Sequence, residues 1–253
     1  QKEAENLGSK DFVDKLDWIV YNSNWNFEKH VYQFKIPENK SMVIKNAIEK
    51  IDFVEKPKDK INLIYHTTPW RGLVHLLKVF KSLNSTNVVL NVCSSTIIYG
   101  KKFDSVLGKK YEGIFNECKN TKNVNYLGFL ENKKIIELLK KMHIFAHPSI
   151  WPETSCVAAI EAMAAGCETV TTNLGALYET CSPFGTFVNF DRNFDNLEKR
   201  YSKVLSNSIK NYWSDENQNK LKLQRESINA TYSWDVRSIE WKNFFNETRA
   251  LKA

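Results

Sequence analysis

No stretch of this 253-residue chain approaches the roughly 18 consecutive apolar residues that a membrane-spanning helix needs. The amino terminus has no apolar core of the kind that marks a secretory leader. Internal repeats and low-complexity tracts are absent, which sets aside solenoids and repetitive arrays. The five cysteines (Cys93, Cys118, Cys156, Cys167, Cys181) are odd in number and include no Cys-x-x-Cys spacing. Neither a disulfide framework nor a zinc site is suggested, and reduced thiols in a cytosolic protein fit best. No Ser-His-Asp arrangement is legible, and no Arg-rich or recognised nucleic-acid motif occurs.

What is present is enough for a core. Apolar residues make up 42% and aromatics 13% of a chain long enough for one large or two small domains. The formal charge of +7 favours anionic partners: phosphate groups, acidic lipid headgroups or nucleic acid. Lysines are spread along the chain, and nucleic acid would show itself by binding that weakens steeply with salt. The first residue is Gln1 rather than Met, so a piece of a longer protein is expected.

Hydrophobic patterning predicts alternating strands and helices. Residues 1–16 are polar; 17–22 is an apolar run, 25–34 has helical spacing, Pro37 and Asn39 turn the chain, and 41–45 is extended. Lys56 to Lys60 reads as a charged linker. Strands are predicted at 61–65, 88–93, 123–127, 143–147 and 167–173, with helices at 73–83, 105–118, 132–142 and 153–165. Beyond Gly175 and Gly185 the chain reads as helical and polar to its end, with Trp213, Trp234 and Trp241 as packing anchors. This alternation indicates an α/β fold, a Rossmann-like parallel sheet with helices on both faces and a helical tail. Such sheets bind ligands at the carboxyl ends of their strands, where the loops 66–72, 94–100, 128–131 and 147–155 all fall. The expected boundaries are 1–56, 57–232 and 233–253.

The densest stretch is Pro148-Ser-Ile-Trp-Pro-Glu-Thr-Ser-Cys-Val-Ala-Ala-Ile-Glu-Ala-Met-Ala-Ala-Gly166. It reads as a strand end, a tight loop and a helix over 153–165 that Gly166 terminates. The first turn would carry the small residues Thr154, Ser155 and Cys156, leaving backbone N–H groups open to a phosphate. Glu153 and Glu161, eight positions apart, would be offset by roughly 12 Å along that helix. Read alone, the pair fits an Ala-rich core helix with two exposed acids equally well.

The spacing Glu153-x7-Glu161 followed by Ala-Met-Ala-Ala-Gly resembles the signature of retaining glycosyltransferases of the GT-B fold, family 4. The resemblance implies the C-terminal, nucleotide-sugar-binding half of such an enzyme, with residues 1–56 as the remnant of an N-terminal domain and the crossing from it. By that likeness Glu153 faces the transferred sugar and Glu161 the ribose. Arg71 matches the basic residue of the family's phosphate loop and, with Glu153, would be catalytic. His66 stands where that loop has Arg, so a titratable imidazole replaces one cation. Phe129 and Leu130 follow the Gly128 turn that meets the base, while Thr154, Ser155 and Cys156 stand where the family often has Phe-Gly. Gly175-Ala-Leu-Tyr-Glu179 resembles a Gly-Gly-Leu-Pro-Glu loop. His147 reads as a core-edge histidine within reach of the ligand.

No metal and no cofactor are implied beyond a nucleoside-diphosphate sugar, and the chain has no Asp-x-Asp motif. The implied partners are the nucleotide sugar, an acceptor saccharide or lipid-linked glycan, and an N-terminal GT-B domain. The implied location is the cytoplasm, including the cytoplasmic membrane face. A non-catalytic nucleotide-sugar-binding or assembly module is the alternative that the changes at His66 and Ser155-Cys156 leave open.

Overall fold

The structure, a computed structural model, describes residues 6–250. The first five and last three residues, at the ends of the expected polar start and helical tail, lie outside it. A small amino-terminal lobe comes first: α1 (Lys10–Asp14), β1 (Ile19–Tyr21), α2 (Asn24–Phe34) and β2 (Ser41–Val43). β1 and β2 pair in parallel, and Val13, Val31 and Ile36 form a core of their own. Ser23 caps α2 by accepting the Asn26 N–H, and Lys35 ends it in the left-handed conformation.

The main body contains β3 (Ile61–Tyr65), α3 (Leu73–Leu83), β4 (Val88–Val92), α4 (Lys101–Asn120), β5 (Val124–Tyr126), α5 (Asn132–Leu139) and β6 (Ile144–His147). It continues through α6 (Val157–Ala164), β7 (Glu168–Thr172), α7 (Leu177–Cys181), β8 (Thr186–Val188), α8 (Phe194–Asn211), α9 (Asp215–Thr231) and α10 (Trp234–Ala250). Strands β3 to β8 form one parallel sheet in the order β5-β4-β3-β6-β7-β8. Alternation along each strand feeds two cores. Leu63, Tyr65, Ile144 and Ala146 point to one face; Ile64 and Phe145 point to the other. The order reverses between β3 and β6, and ligands bind at such a switch point, outside the carboxyl ends of the strands.

Away from the loop after β6, the structure corrects the expected pattern in three places. The segment after Gly185 is not all helical: Thr186–Val188 is the edge strand β8, too short to signal itself by alternation. Lys56 does not sit in an open linker. It is buried, and its ammonium donates to the carbonyls of Leu139 (3.0 Å) and Ala165 (2.8 Å) at the ends of α5 and α6. Of the expected packing anchors, Trp213 and Trp234 are half-exposed, and Trp213 packs edge-on against Tyr212 and His143.

No helix among the described residues is long and apolar enough to cross a membrane. All five cysteines are unpaired and buried.

Candidate functional site

A cavity of about 540 Å³ opens at the carboxyl ends of β3, β4 and β5. The loop after β3 forms one wall. Its shape is set by the Tyr65 hydroxyl, which donates to the Thr68 carbonyl (2.7 Å), and by the Arg71 N–H, which donates to the same carbonyl (3.2 Å). Gly72 then turns with φ +130°, and a Cβ there would lie 2.2 Å from the Pro148 carbonyl oxygen. Only glycine lets this loop close on the one after β6. Ile150 N–H donates to the Arg71 carbonyl (3.3 Å) and completes the contact.

The loop after β6 is held from below. Thr171 and Thr172 of β7 donate their hydroxyls to the carbonyls of His147 (2.9 Å) and Ser149 (2.7 Å). Glu153 bridges Gly175 and accepts the Ala176 N–H (2.7 Å). Gly175 has φ +66°, and a Cβ there would meet the Glu153 carbonyl oxygen at 2.5 Å. Glu153 therefore belongs to a clamped loop, not to the helix expected over 153–165. α6 begins at Val157 with Cys156 as its cap residue. Pro152 and the bridge to Gly175 hold the backbone extended, which removes the helical offset expected between Glu153 and Glu161. Thr154, Ser155 and Cys156 precede the helix rather than forming its first turn.

Glu153 is 3% exposed, and its Oε2 accepts a hydrogen bond from the Arg71 guanidinium. Its Oε1 has no hydrogen-bond partner and lies 3.6 Å from Nε2 of the fully buried His147. Burial opposes the charge on Glu153, but His147 and Arg71 outweigh it and hold the carboxyl below its ordinary value. Arg71 is likewise opposed by burial and kept charged by Glu153. His147, Glu153 and Cys156 each place one ligand atom within 4.8 Å of the others, a set that could hold a metal ion. The Arg71 guanidinium already supplies positive charge beside it.

His66, Arg71, Phe129, Leu130, Ser155, Cys156 and Glu161 line the cavity, as does the amino end of α6 at Val157 and Ala158. Glu153 and Thr154 do not. Thr154 instead accepts from Asn22 of the amino-terminal lobe (3.3 Å). His66 is not the titratable group expected: burial, with His147 nearby, pulls its pKa down to about 3. Its ring packs 4.8 Å from that of Phe145. The ring nitrogens of His66, the Thr68 hydroxyl and Arg71 Nε are buried without hydrogen-bond partners, and all three residues face the cavity. Unsatisfied donors gathered around one cavity mark a place for a polar ligand.

Glu161 stands on α6, 8% exposed, with Oε1 accepting from Asn132 Nδ2 (2.8 Å). Burial raises its pKa, and the Asn132 bond partly offsets that. Asn132 was not singled out in the sequence, although it opens the helix that follows the Gly128 turn. Tyr99, which lines the cavity and packs on Trp70 (5.7 Å), also lacked a signal. Glu179, named in the sequence only as the end of the Gly175 loop, has contacts that the resemblance did not indicate. Its carboxylate accepts the backbone N–H groups of Asn24 (3.0 Å) and Trp25 (2.9 Å) at the start of α2, with Lys45 3.4 Å away. It ties the two lobes together beside the Gly175 clamp.

The family model for glycosyl transferases group 1 matches residues 45–222. No curated protein matches the chain. Among solved structures, a glycosyltransferase from Rickettsia africae is similar over 98% of this chain and 67% of its own length, at 17% identity and TM-score 0.72. The sucrose-phosphate synthase of Thermosynechococcus elongatus is similar over 98% of this chain and 62% of its own, at 15% identity and TM-score 0.75. Anabaena Alr3699/HepE, solved in complex with UDP and glucose, is similar over 94% of this chain and 65% of its own, at 13% identity and TM-score 0.74. At such identities the likeness establishes the fold, and this chain spans about two thirds of these three proteins.

Proposed function

The chain belongs to the glycosyl transferases group 1 family, and from that membership and the geometry of the cavity we propose that it is the donor-binding half of a retaining, family 4 enzyme of the GT-B fold. It takes a nucleoside-diphosphate sugar and transfers the sugar to an acceptor glycan or lipid-linked glycan. The observation that carries this reading is the Arg71–Glu153 ion pair at a cavity that Glu161 and the amino end of α6 also border.

Each part has a physical task. The diphosphate lies against Arg71 and the positive end of α6, which stabilise the charge that develops on the leaving group. Arg71 already has one N–H on Glu153 and an unpartnered Nε, so it can reach a phosphate without abandoning the carboxylate. Glu161, oriented by Asn132, accepts from the ribose hydroxyls. Phe129 and Leu130 border the base, and Glu153 serves the sugar. A neutral His66 packs there as a hydrogen-bonding group, not as a second cation. Guanidinium and helix dipole neutralise the diphosphate, so the reading needs no metal. An N-terminal GT-B domain supplies the acceptor site, and the reaction takes place in the cytoplasm or at its membrane face.

A second reading, binding without transfer, is favoured by one observation: where the family has a cation stands His66, whose ring nitrogens are buried without partners and whose pKa burial lowers to about 3. A thermal-shift panel of nucleosides, nucleoside diphosphates and nucleotide sugars tests the binding common to both. A ligand at 100 times its Kd raises stability by about 2.7 kcal/mol. No shift with any nucleotide would end both readings. A transfer assay with the N-terminal domain present separates them.

A further inference from the structure

A second cavity, of about 350 Å³, opens at the other end of the sheet. Its walls come from the segment that leads into β3, from Gly166 ahead of β7, and from α9 and the residues before it. These segments feed the amino ends of the strands, whereas the site described above lies at their carboxyl ends.

The charge in this cavity is one-sided. Lys56, Lys58, Lys222 and Arg225 line it, against Glu55 alone. Among the described residues no carboxylate forms an ion pair with any of the four cations. The Lys58 ammonium lies 6.0 Å over the ring of the half-exposed Trp213. The Arg225 guanidinium lies 4.0 Å over that of the half-exposed Phe53. Lys56 is buried on two carbonyls, and burial, with repulsion from Arg225, lowers its pKa. Lys58, Lys222 and Arg225 thus bring positive charge to one cavity with no carboxylate paired to it, and a phosphate offers several acceptors to such a group. The ring surface that these two cations leave exposed adds an apolar border that inorganic phosphate alone would leave unused.

We propose that this cavity is a second binding site, for a ligand that joins a phosphate group to an aromatic or apolar moiety. The phosphate sits among the cations and the moiety lies against Trp213 and Phe53. A mononucleotide, through its base, and an anionic phospholipid, through the acylated glyceride next to its phosphate, share that chemistry. Being at the opposite end of the sheet, the site does not compete with the first cavity.

The test uses the full chain and three probes: a nucleoside monophosphate, inorganic pyrophosphate, and phosphatidylglycerol vesicles set against phosphatidylcholine vesicles. The expected result is that the monophosphate or the phosphatidylglycerol vesicles protect residues 53–58 and 212–225 from hydrogen exchange. The double substitution Lys58→Gln, Lys222→Gln, at exposed positions, should lower that affinity roughly tenfold or more, as losing charge-assisted bonds does. Trp213→Ala should weaken it further, and Phe129→Ala in the first cavity should leave it unchanged. Protection by the monophosphate points to a soluble ligand; protection by phosphatidylglycerol vesicles alone points to a headgroup. The proposal is overturned if neither protects these segments, if pyrophosphate binds as well as the larger probes, or if the double substitution has no effect.

Discussion

Arg71 and Glu153, 82 residues apart in the sequence, meet as an ion pair where the loop after β3 touches the loop after β6. The Glu153 side chain is 4% exposed and the Arg71 side chain 24%, so one partner is enclosed while the other lines the cavity. Glu153 is thus held ionised in a buried place before any ligand arrives. An incoming diphosphate would share its guanidinium.

Replacing Arg71 with Ala should weaken a nucleoside diphosphate about tenfold to a hundredfold, since charge-assisted hydrogen bonds contribute roughly 1.5–3 kcal/mol. The nucleoside alone should bind as before. The same substitution leaves Glu153 buried without its cation, so stability should fall by about 3 kcal/mol or less, given the partial exposure of Arg71. Glu153→Gln in the Arg71→Ala background should recover part of that loss. Calorimetry and a double-mutant cycle check both statements; equal weakening of nucleoside and diphosphate would remove Arg71 from the phosphate.

Gly175→Ala should disturb Glu153 without touching the cavity lining. Its Cβ would stand 2.5 Å from the Glu153 carbonyl oxygen at a backbone angle of φ +66°. Strain of this kind costs about 1–3 kcal/mol. A lower melting temperature and reduced affinity for the nucleotide sugar are expected, with the nucleoside diphosphate less affected. A variant as stable as the parent would show that the clamp is not rigid.

Acid should destabilise the fold well before its carboxylates are neutralised. Burial pulls His66 to about 3 and His143 to about 4, against roughly 6.5 in the unfolded chain. His143 also accepts the Asn62 N–H on Nδ1 (2.9 Å), which a proton would block. The unfolded state binds more protons below about pH 6.5. Stability is therefore complete above that value and falls as the pH drops, by at most about 1.4 kcal/mol per unit for each histidine. Urea unfolding between pH 7.5 and 4.5 measures this, and His66→Gln should lessen the slope. By the same token, diphosphate affinity should show no His66 step near pH 6.5, contrary to what an exposed imidazole would give. A flat stability profile would mean that neither histidine is enclosed as described.

Much of this fold was legible because parallel strands buried on both faces write continuous apolar runs. Ile61–Tyr65 and the helix Leu73–Leu83 fall where periodicity puts them. The three-residue edge strand β8 was not, since nothing in so short a run distinguishes it from a loop. At the site, Arg71 and Glu161 border the cavity as their positions suggested. Glu153 was misplaced onto the helix because no Gly or Pro separates Glu153-Thr-Ser-Cys156 from the Ala-rich run that follows. What stops it is tertiary: the bridge to Gly175, a contact with no local trace. The roles of Asn132 and Glu179 were not legible for a similar reason, because each acts on a residue distant in sequence.

Calorimetry of the two Glu→Gln variants with a nucleoside diphosphate and its nucleotide sugar measures most directly how Glu153 and Glu161 divide the ligand. Glu161→Gln should weaken both ligands by similar factors, about tenfold to a hundredfold, because both carry the ribose. Glu153→Gln should leave the nucleoside diphosphate nearly unchanged and erase the additional affinity that the sugar confers. Substitutions that change stability but move neither ligand's affinity would contradict the assignment of this cavity to a nucleotide sugar.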